Sequence, residues 1–352
     1  MTTSYTYKEL PTAITWLRFP LIFLVIMLHA YSVVQIPGNH ATYFKAVYPF
    51  ALWLGETGVP GFFFISGFLF FLSHKTYFEK LNARCHSLLI PYILWNALLL
   101  AAYVAAFALG HPQDINGKNI ADFAWTDYLR LFWDRGSYDN GNFVPLLCPF
   151  WYIRNLLILS LISPMIYFMN RYLRERYLLA ITIWWIVTPH NAFIPQSILF
   201  FSLGAFFSIQ DKNPLSLFIQ HKTLFISLCL LLAGADIITH TAFPTAINLQ
   251  IHRFALIANI PALFLLAHHF TAEGKLSPVA SYLSNSAFII FSIHYPIVVV
   301  LRKGCIQNFS GSSDFIQIIL YFICIIITTL LSLLFYQVIP KKIKNILSGN
   351  RA

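Results

Sequence analysis

The sequence predicts an all-α polytopic membrane protein, a transmembrane helical bundle of about ten helices. Only 10% of its 352 residues are charged and 58% are hydrophobic, whereas about a quarter of a soluble domain is charged. Apolar runs of about 20 residues, the length that crosses a bilayer as a helix, recur along the whole chain. The lysines and arginines stand mainly in the short segments between these runs.

Ten apolar runs are predicted to span the membrane. The first is interpreted as an uncleaved span because no small-residue cleavage site follows it. The fifth and sixth are short, and the prolines of "TPHNAFIP" between them favour a tight turn or a re-entrant pair. The predicted spans are 12–35, 46–72, 87–109, 146–169, 177–190, 194–210, 222–239, 254–271, 280–301 and 315–340.

The distribution of basic residues predicts that both termini face the cytoplasm. With that orientation the inner segments hold 14 lysines and arginines and the outer segments hold 7, the usual bias of membrane proteins. The longest connection, 110–145, then lies outside, and loops of this length are often functional. The chain shows no tandem repeat and no appended soluble domain, so we predict one membrane domain over 1–352.

Composition and motifs argue against several classes of function. The net charge of +10 is spread over short connections instead of being clustered, so it does not predict nucleic-acid binding. The five cysteines have neither C-x-x-C nor metal-ligand spacing, so we expect no bound metal and no disulfide framework. The sequence contains no phosphate-binding P-loop, no dinucleotide fingerprint and no G-x-S-x-G elbow.

Ionisable side chains inside the predicted spans are the first candidates for function, because a charge at the helix centre costs about 2.5–3.5 kcal/mol on insertion scales. Arg18 and His29 share the first span, and their spacing of eleven residues places them on nearly the same helix face, roughly 16 Å apart. Glu56, Arg154 and His294 lie in later spans. In the predicted orientation these three and His29 converge in the outer half of the membrane.

Each of these residues also has a structural interpretation. Arg18 alone would reach lipid headgroups, and His29 would bond a neighbouring helix. Glu56 and Arg154 would form an ion pair, and His294 would bridge a proline-loosened backbone. Together, a histidine that takes a proton and arginines that hold phosphate or an oxyanion suit acyl transfer. The same set equally suits a proton-coupled transporter, and the residues alone leave both open.

Five segments, in this order, carry a resemblance to a known family. They are the R-x10-H pair of Arg18 and His29, "GVPGFFFISGFLF" at 58–70, "LLIPYILWN" at 88–96, "PFWYIRNLLILSLISP" at 149–164 and "FSIHYPI" at 291–297. Together they resemble the acyltransferase 3 family of integral-membrane O-acyltransferases. The resemblance implies a bacterial inner-membrane enzyme that transfers an acyl group, usually acetyl, to a hydroxyl of a surface glycan or lipid-linked sugar. It implies no bound cofactor, with acetyl-CoA or another acyl-CoA as co-substrate.

The resemblance also implies roles for individual residues. His29 would be the essential histidine and Arg18 its partner on the same helix. Ser66, Gly67 and Phe68 match the S-G-F turn of the family.

Residues and resemblance together predict a mechanism. The anionic donor would approach from the cytoplasm toward Arg84, Lys80 and Arg18, and His29 would deprotonate the acceptor hydroxyl. Arg154 would stabilise the oxyanion or orient Glu56. Ser66, Gly67 and His294 complete the predicted substrate-binding set.

Two positions depart from the pattern of the family. Ser87 stands where the second arginine of an R-x-x-R pair is expected after Arg84, and Asn155 stands where an acid often follows the arginine of the fourth span. A proton-coupled transporter or flippase of a saccharide or small anion remains the main alternative. A membrane acyltransferase acting on lipid or protein is a third. The acceptor, the acyl chain and the oligomeric state are left open by the sequence.

Overall fold

The protein is helical almost throughout the part described by a computed structural model, so the predicted all-α polytopic class is confirmed. Residues 31–35 of the first predicted span and 189–191 of "TPHNAFIP" lie outside the described residues. The described residues are 2–30, 41–111, 113–115, 117–136, 142–188, 192–242, 245–271, 274–309 and 311–350, with side chains from residue 9 onward.

The elements follow one another with π-helical turns at Tyr43–Val47 and Cys85–Leu89 and 3-10 turns at Ile120–Asp122 and Cys148–Phe150. In chain order the elements are α1 (Thr2–Ala30), α2 (Tyr48–Gly55), α3 (Gly58–Leu72), α4 (Tyr77–Arg84), α5 (Ile90–Ala108), β1 (Asp114–Ile115), β2 (Lys118–Asn119), α6 (Trp125–Arg130), α7 (Trp151–Leu161), α8 (Ser163–Tyr172), α9 (Glu175–Val187), α10 (Phe193–Ile209), α11 (Pro214–Gln220), α12 (Lys222–Ala242), α13 (Thr245–Phe270), α14 (Pro278–Asn308), α15 (Asp314–Val338) and α16 (Lys341–Ser348).

Seven helical stretches of the described residues are long and apolar enough to cross a membrane. The bent pairs α7–α8 and α10–α11 raise this number to nine if each pair is one span. These nine fall on nine of the ten predicted spans. The predicted fifth span, 177–190, falls on α9, whose 13 residues extend roughly 20 Å and are shorter than the hydrocarbon core of about 30 Å. The tenth crossing and the cytoplasmic placement of both termini stay predictions.

Both bends occur where a proline starts the second helix. The axes of α7 and α8 differ by 67° and those of α10 and α11 by 95°. Pro164 and Pro214 stand in the first turn of α8 and α11, where a missing backbone N–H costs nothing. Asn213 caps α11 by accepting hydrogen bonds from the backbone N–H groups of Leu215 and Ser216. The proline at each bend, and the Asn213 cap at the second, therefore favour the start of a new helix over a straight continuation of the preceding one.

The chain forms two compact units. The first unit comprises Met1–Leu72 and Phe200–Val338, and the second comprises Ser73–Leu199 and Ile339–Ala352. The boundary after residue 199 falls inside α10. The single membrane domain expected over 1–352 stays a prediction.

Small residues let α1 pack closely against α2 and α3 in the first unit. A Cβ atom at Gly55 would lie 2.9 Å from the Cβ of Leu28, and one at Gly58 would lie 2.7 Å from the carbonyl oxygen of Leu21. Glycine at helix crossings permits this approach in membrane proteins. The contact with Leu28 matters for the site, because it places the end of α2 beside the part of α1 that carries His29.

The predicted outer loop folds as a small cap in the second unit. Its ribbon β1–β2 is followed by α6, and Ile115, Ile120, Leu131 and Leu146 form a buried apolar cluster. At its surface Lys118 contacts Asp127 at 2.6 Å, and this ammonium holds the pKa of Asp127 below its ordinary value. Positions 112, 116 and 137–141 of the loop lie outside the described residues.

Candidate functional site

Arg18 and His29 lie on α1, three turns apart, and both are half-buried. The guanidinium of Arg18 makes no hydrogen bond or ion pair with any described residue of the chain. A cation without a protein partner is suited to bind an anionic ligand. The predicted stripe of one cation and one imidazole on a single helix is therefore present in the structure.

The ring of His29 meets two aromatic rings of α14. Its centroid is 5.4 Å from that of His294, with 36° between the planes, and 5.1 Å from that of Tyr295, which it meets edge-on. The ring centroid of Phe291, on the same helix, lies 6.0 Å from that of His294. The structure thus brings together two histidines that are 265 positions apart in the chain.

His294 is fully buried, and its two ring nitrogens have different surroundings. Its Nδ1 lies 2.7 Å from the carbonyl oxygen of Phe291 and 3.2 Å from that of Ile290, one turn back on its own helix. Its Nε2 has no hydrogen-bond partner among the described residues. Buried polar atoms almost always have a hydrogen-bond partner. A buried imidazole nitrogen without such a partner among the described residues, next to a second histidine, therefore indicates a functional site.

Glu56 lies at the break between α2 and α3 and is held by a histidine that the sequence analysis did not single out. Nε2 of His252 lies 3.0 Å from Oε2 of Glu56, and Nδ1 of the same ring lies 2.7 Å from Oδ2 of Asp236. Asn248 donates at 3.0 Å to Oδ1 of Asp236 and to its backbone oxygen. These four side chains, which lie on α12, on α13 and at the break after α2, are called the carboxylate–imidazole network below.

The sequence carried a signal for this network. Asp236 is an acid inside the predicted span 222–239, and an intramembrane acid calls for a partner. The sequence does not predict His252 as its partner, because the predicted eighth span begins at residue 254. In the structure α13 begins at Thr245 and includes His252 and Arg253. Arg253 is one of the seven lysines and arginines assigned above to the outer segments. It is fully buried inside this helix, so the number of basic residues in the outer segments falls by one.

The S-G-F turn is a helix-packing site in the first unit. Gly67 lies against the carbonyl oxygen of Phe201 so closely that a Cβ atom would overlap it, and Gly204 lies in the same way against the carbonyl of Phe64. Ser208 donates at 2.6 Å to the carbonyl oxygen of Phe68. These contacts hold α3 against α10. The substrate-binding roles expected for Ser66 and Gly67 stay predictions.

Arg154 lies in the second unit, on α7, and is only 6% exposed. It donates to the amide oxygen of Asn155 from Nε at 3.3 Å and from Nη2 at 3.0 Å, and to the backbone oxygen of Trp133 at 2.7 Å. Asn155, which replaces the expected acid, therefore still accepts from the arginine. These bonds attach the cap to α7, and the pairing of Arg154 with Glu56 stays a prediction.

Lys80 and Arg84 lie four residues apart on α4 of the second unit, on one helix face, and both are half-buried. At Ser87, where a second arginine is expected, the C-terminal segment approaches instead. A Cβ atom at Gly349 would lie 2.6 Å from the Cα of Ser87, and φ of Gly349 is 62°. The carbonyl of Leu347 accepts from the indole of Trp95 at 3.0 Å, which fixes α16 and its lysines in this unit. Lys341, Lys342 and Lys344 lie on this helix.

Comparison with known proteins shows similarity to a protein family and to a curated protein. The profile of the acyltransferase domain family, acyltransferase 3, matches residues 12–337 and so runs through both units. The succinoglycan biosynthesis protein ExoH of Rhizobium meliloti (strain 1021) is 24% identical over 266 residues, which cover 71% of this chain and 68% of the relative. No solved structure shows a significant match.

Proposed function

The chain belongs to the acyltransferase 3 family and is a multi-pass membrane acyltransferase, and from this premise we propose that it O-acetylates a polysaccharide. The donor in this proposal is acetyl-CoA and the acceptor is a hydroxyl of a surface glycan or of its lipid-linked precursor. The name of the relative, a succinoglycan biosynthesis protein, supports a polysaccharide acceptor. The location we propose is the bacterial inner membrane, where acetyl-CoA is available on one side and glycan precursors are exported.

One observation carries the proposal: the half-buried imidazole of His29 contacts the imidazole of His294. The helix of His29 also carries the cation Arg18, which has no partner in the described part of the chain. A histidine is the side chain that best removes a proton from a hydroxyl near neutral pH. Its half-buried position reduces contact with water, which strengthens the electrostatic interactions that develop during the reaction. A lone structural histidine would need neither the second imidazole nor the cation.

The proposed reaction is a direct transfer. His29 takes the proton of the acceptor hydroxyl while the oxygen attacks the carbonyl carbon of the thioester. The carbon–sulfur bond then breaks, and the leaving thiolate receives the proton from the His29 imidazolium. The products are the sugar ester and free CoA, so atoms and charge balance without any further reactant.

Arg18 is proposed to bind an anionic part of the donor. It lies roughly 16 Å from His29 along α1, a distance that an extended phosphopantetheine arm covers. Glu56, fixed through one carboxylate oxygen by His252, is proposed to accept hydrogen bonds from acceptor hydroxyls through the other. The roles expected for Arg154, Arg84 and Lys80 concern the second unit and stay predictions.

Radiolabelled acetyl-CoA tests the proposal in inverted membrane vesicles that contain the protein and the exopolysaccharide of the producing cell. We expect label in the polysaccharide as an alkali-labile ester, and no such label with His29→Ala. Mass spectrometry of the same glycan should show one acetyl increment per modified residue. Label in lipid or protein alone would overturn the polysaccharide acceptor.

The transporter alternative predicts a different result in the same vesicles. A proton-coupled transporter or flippase would move saccharide or a small anion across sealed vesicles without consuming acetyl-CoA. We expect acetyl-CoA consumption to require the wild-type protein and to equal ester formation. Saccharide movement with no acetyl-CoA consumption would reject the acyltransferase proposal.

A further inference from the structure

We propose that His294 is a positioning residue that fixes the tautomer of His29, so that His29 presents a lone pair to the acceptor hydroxyl. This inference deepens the proposed function and rests on it. It starts from the one buried imidazole nitrogen of the histidine pair that has no partner among the described residues, Nε2 of His294.

The contacts of His294 determine where its proton is. Nδ1 faces two backbone carbonyl oxygens, Phe291 at 2.7 Å and Ile290 at 3.2 Å, and carbonyl oxygens only accept. Nδ1 therefore carries the hydrogen. A second hydrogen on Nε2 would place a charged N–H without an acceptor in a fully buried position, which is costly. The ring is therefore neutral, and Nε2 is a hydrogen-bond acceptor.

Nε2 lies on the edge of the ring that is turned away from its own helix backbone, because Nδ1 faces that backbone. The imidazole that this ring meets on another helix is His29, with centroids 5.4 Å apart. Two imidazoles joined by an N–H···N bond of ordinary length have centroids roughly 5 Å apart. A small tilt of either ring therefore forms the bond.

The direction of that bond follows from the chemistry of His294. Because Nε2 accepts only, His29 must supply the N–H, and the other nitrogen of His29 then carries the lone pair. When His29 becomes an imidazolium, the same bond becomes charge-assisted and stronger. An acid would orient His29 in the same way but would add a negative charge inside the membrane, which a neutral imidazole avoids.

Two substitutions separate positioning from structure. His294→Asn keeps a donor where Nδ1 stands, so it preserves the bond to Phe291, but it lacks any atom at the position of Nε2. His294→Gln can place an amide oxygen near Nε2. We expect His294→Asn to lower the turnover of acetyl transfer on the order of 10²-fold, the low end of general acid–base effects, with an unchanged KM for acetyl-CoA. His294→Gln should retain several times the turnover of His294→Asn.

The measurement uses radiolabelled acetyl-CoA and the exopolysaccharide in vesicles, with the thermal unfolding midpoint of each purified variant as the fold readout. His269→Asn, an exposed histidine at the end of α13, is the matched control and should resemble wild type. Full turnover with His294→Asn, or equal losses with the Asn and Gln variants at unchanged midpoint, would overturn the inference. Wild-type vesicles that form no sugar ester would instead reject the proposed function itself.

Discussion

His252 and His294 are both buried in the first unit, yet their ring nitrogens meet opposite surroundings. His252 has a carboxylate at each nitrogen, at 2.7 Å and 3.0 Å. His294 has backbone carbonyls at Nδ1 and no partner among the described residues at Nε2. Because ionised carboxylates only accept, both nitrogens of His252 are used as donors and the ring has no atom left for a substrate.

This difference distinguishes His252, whose hydrogen bonds join helices, from His294, which is proposed to act in the reaction. The carboxylate–imidazole network joins α2, α12 and α13 through charge-assisted bonds at the break beside Glu56. The pair of His29 and His294 contains no acid and keeps an open acceptor. Substitutions of His252, Asp236 or Asn248 should therefore change stability, and substitutions of His29 or His294 should change the rate of transfer.

His29→Gln should give the largest effect on activity. Loss of the proposed base should lower acetyl transfer by about 10³-fold, within the range for general acid–base catalysis. The unfolding midpoint in detergent should stay at the wild-type value, because His29 is not part of the network. The measurement is label transfer from acetyl-CoA in vesicles beside a thermal unfolding scan. A lowered unfolding midpoint would assign His29 a structural role, and the contrast between the network and the histidine pair would then fail.

His252→Leu should give the largest effect on stability. It removes the donor shared by Asp236 and Glu56, and breaking a buried pair by deleting one partner costs about 3–5 kcal/mol. The unfolding midpoint should fall accordingly. Pairing this change with Asp236→Leu should restore part of the loss, since the buried charge disappears with its partner. Unchanged stability of His252→Leu would show that the network does not hold the helices.

Asp236→Asn should have an intermediate effect. The amide oxygen still accepts from Nδ1 of His252, but the charge is lost and the amide NH2 cannot accept from Asn248, which donates to Oδ1 of Asp236. We expect a destabilisation of about 2–3 kcal/mol. Unfolding measured beside His252→Leu gives the comparison. Equal losses in the two variants would mean that the charge of Asp236, and not the hydrogen bond, supplies the stability.

Asn248→Ala should have the smallest effect. Asn248 donates to the Asp236 carboxylate at 3.0 Å from the end of the network, and a hydrogen bond to a charged group contributes about 1.5 kcal/mol at the low end of its range. Acetyl transfer per folded molecule should equal that of wild type. A loss of transfer larger than the loss of folded protein would show that the network and the histidine pair are coupled.

Local features of the sequence were sufficient for some parts of the site. The eleven-residue spacing of Arg18 and His29 defines one helix face by geometry alone, and α1 shows it. Nine of the ten predicted spans fall on apolar helices or bent pairs, because hydropathy and length decide whether a helix crosses a bilayer. The segment "FSIHYPI" marked His294, although the spacing could not show that it meets His29.

Other parts required contacts between distant segments. The pairing of Asp236 with His252 joins two helices at positions that no periodicity connects. Asn155 substitutes for an acid only because its amide oxygen lies within reach of two guanidinium nitrogens of Arg154. Gly349 packs against Ser87 because the chain returns to the turn before α5 after 262 positions. Sequence spacing contains none of these distances.

The sequence by itself determined that this chain is a polytopic helical membrane protein and that one face of its first helix carries a cation and an imidazole, since composition and helical period follow from residue order alone. The tertiary structure decided which histidine has an open nitrogen and which is held between carboxylates. That decision depends on hydrogen-bond direction, which is set by the atoms that neighbouring helices bring within about 3 Å.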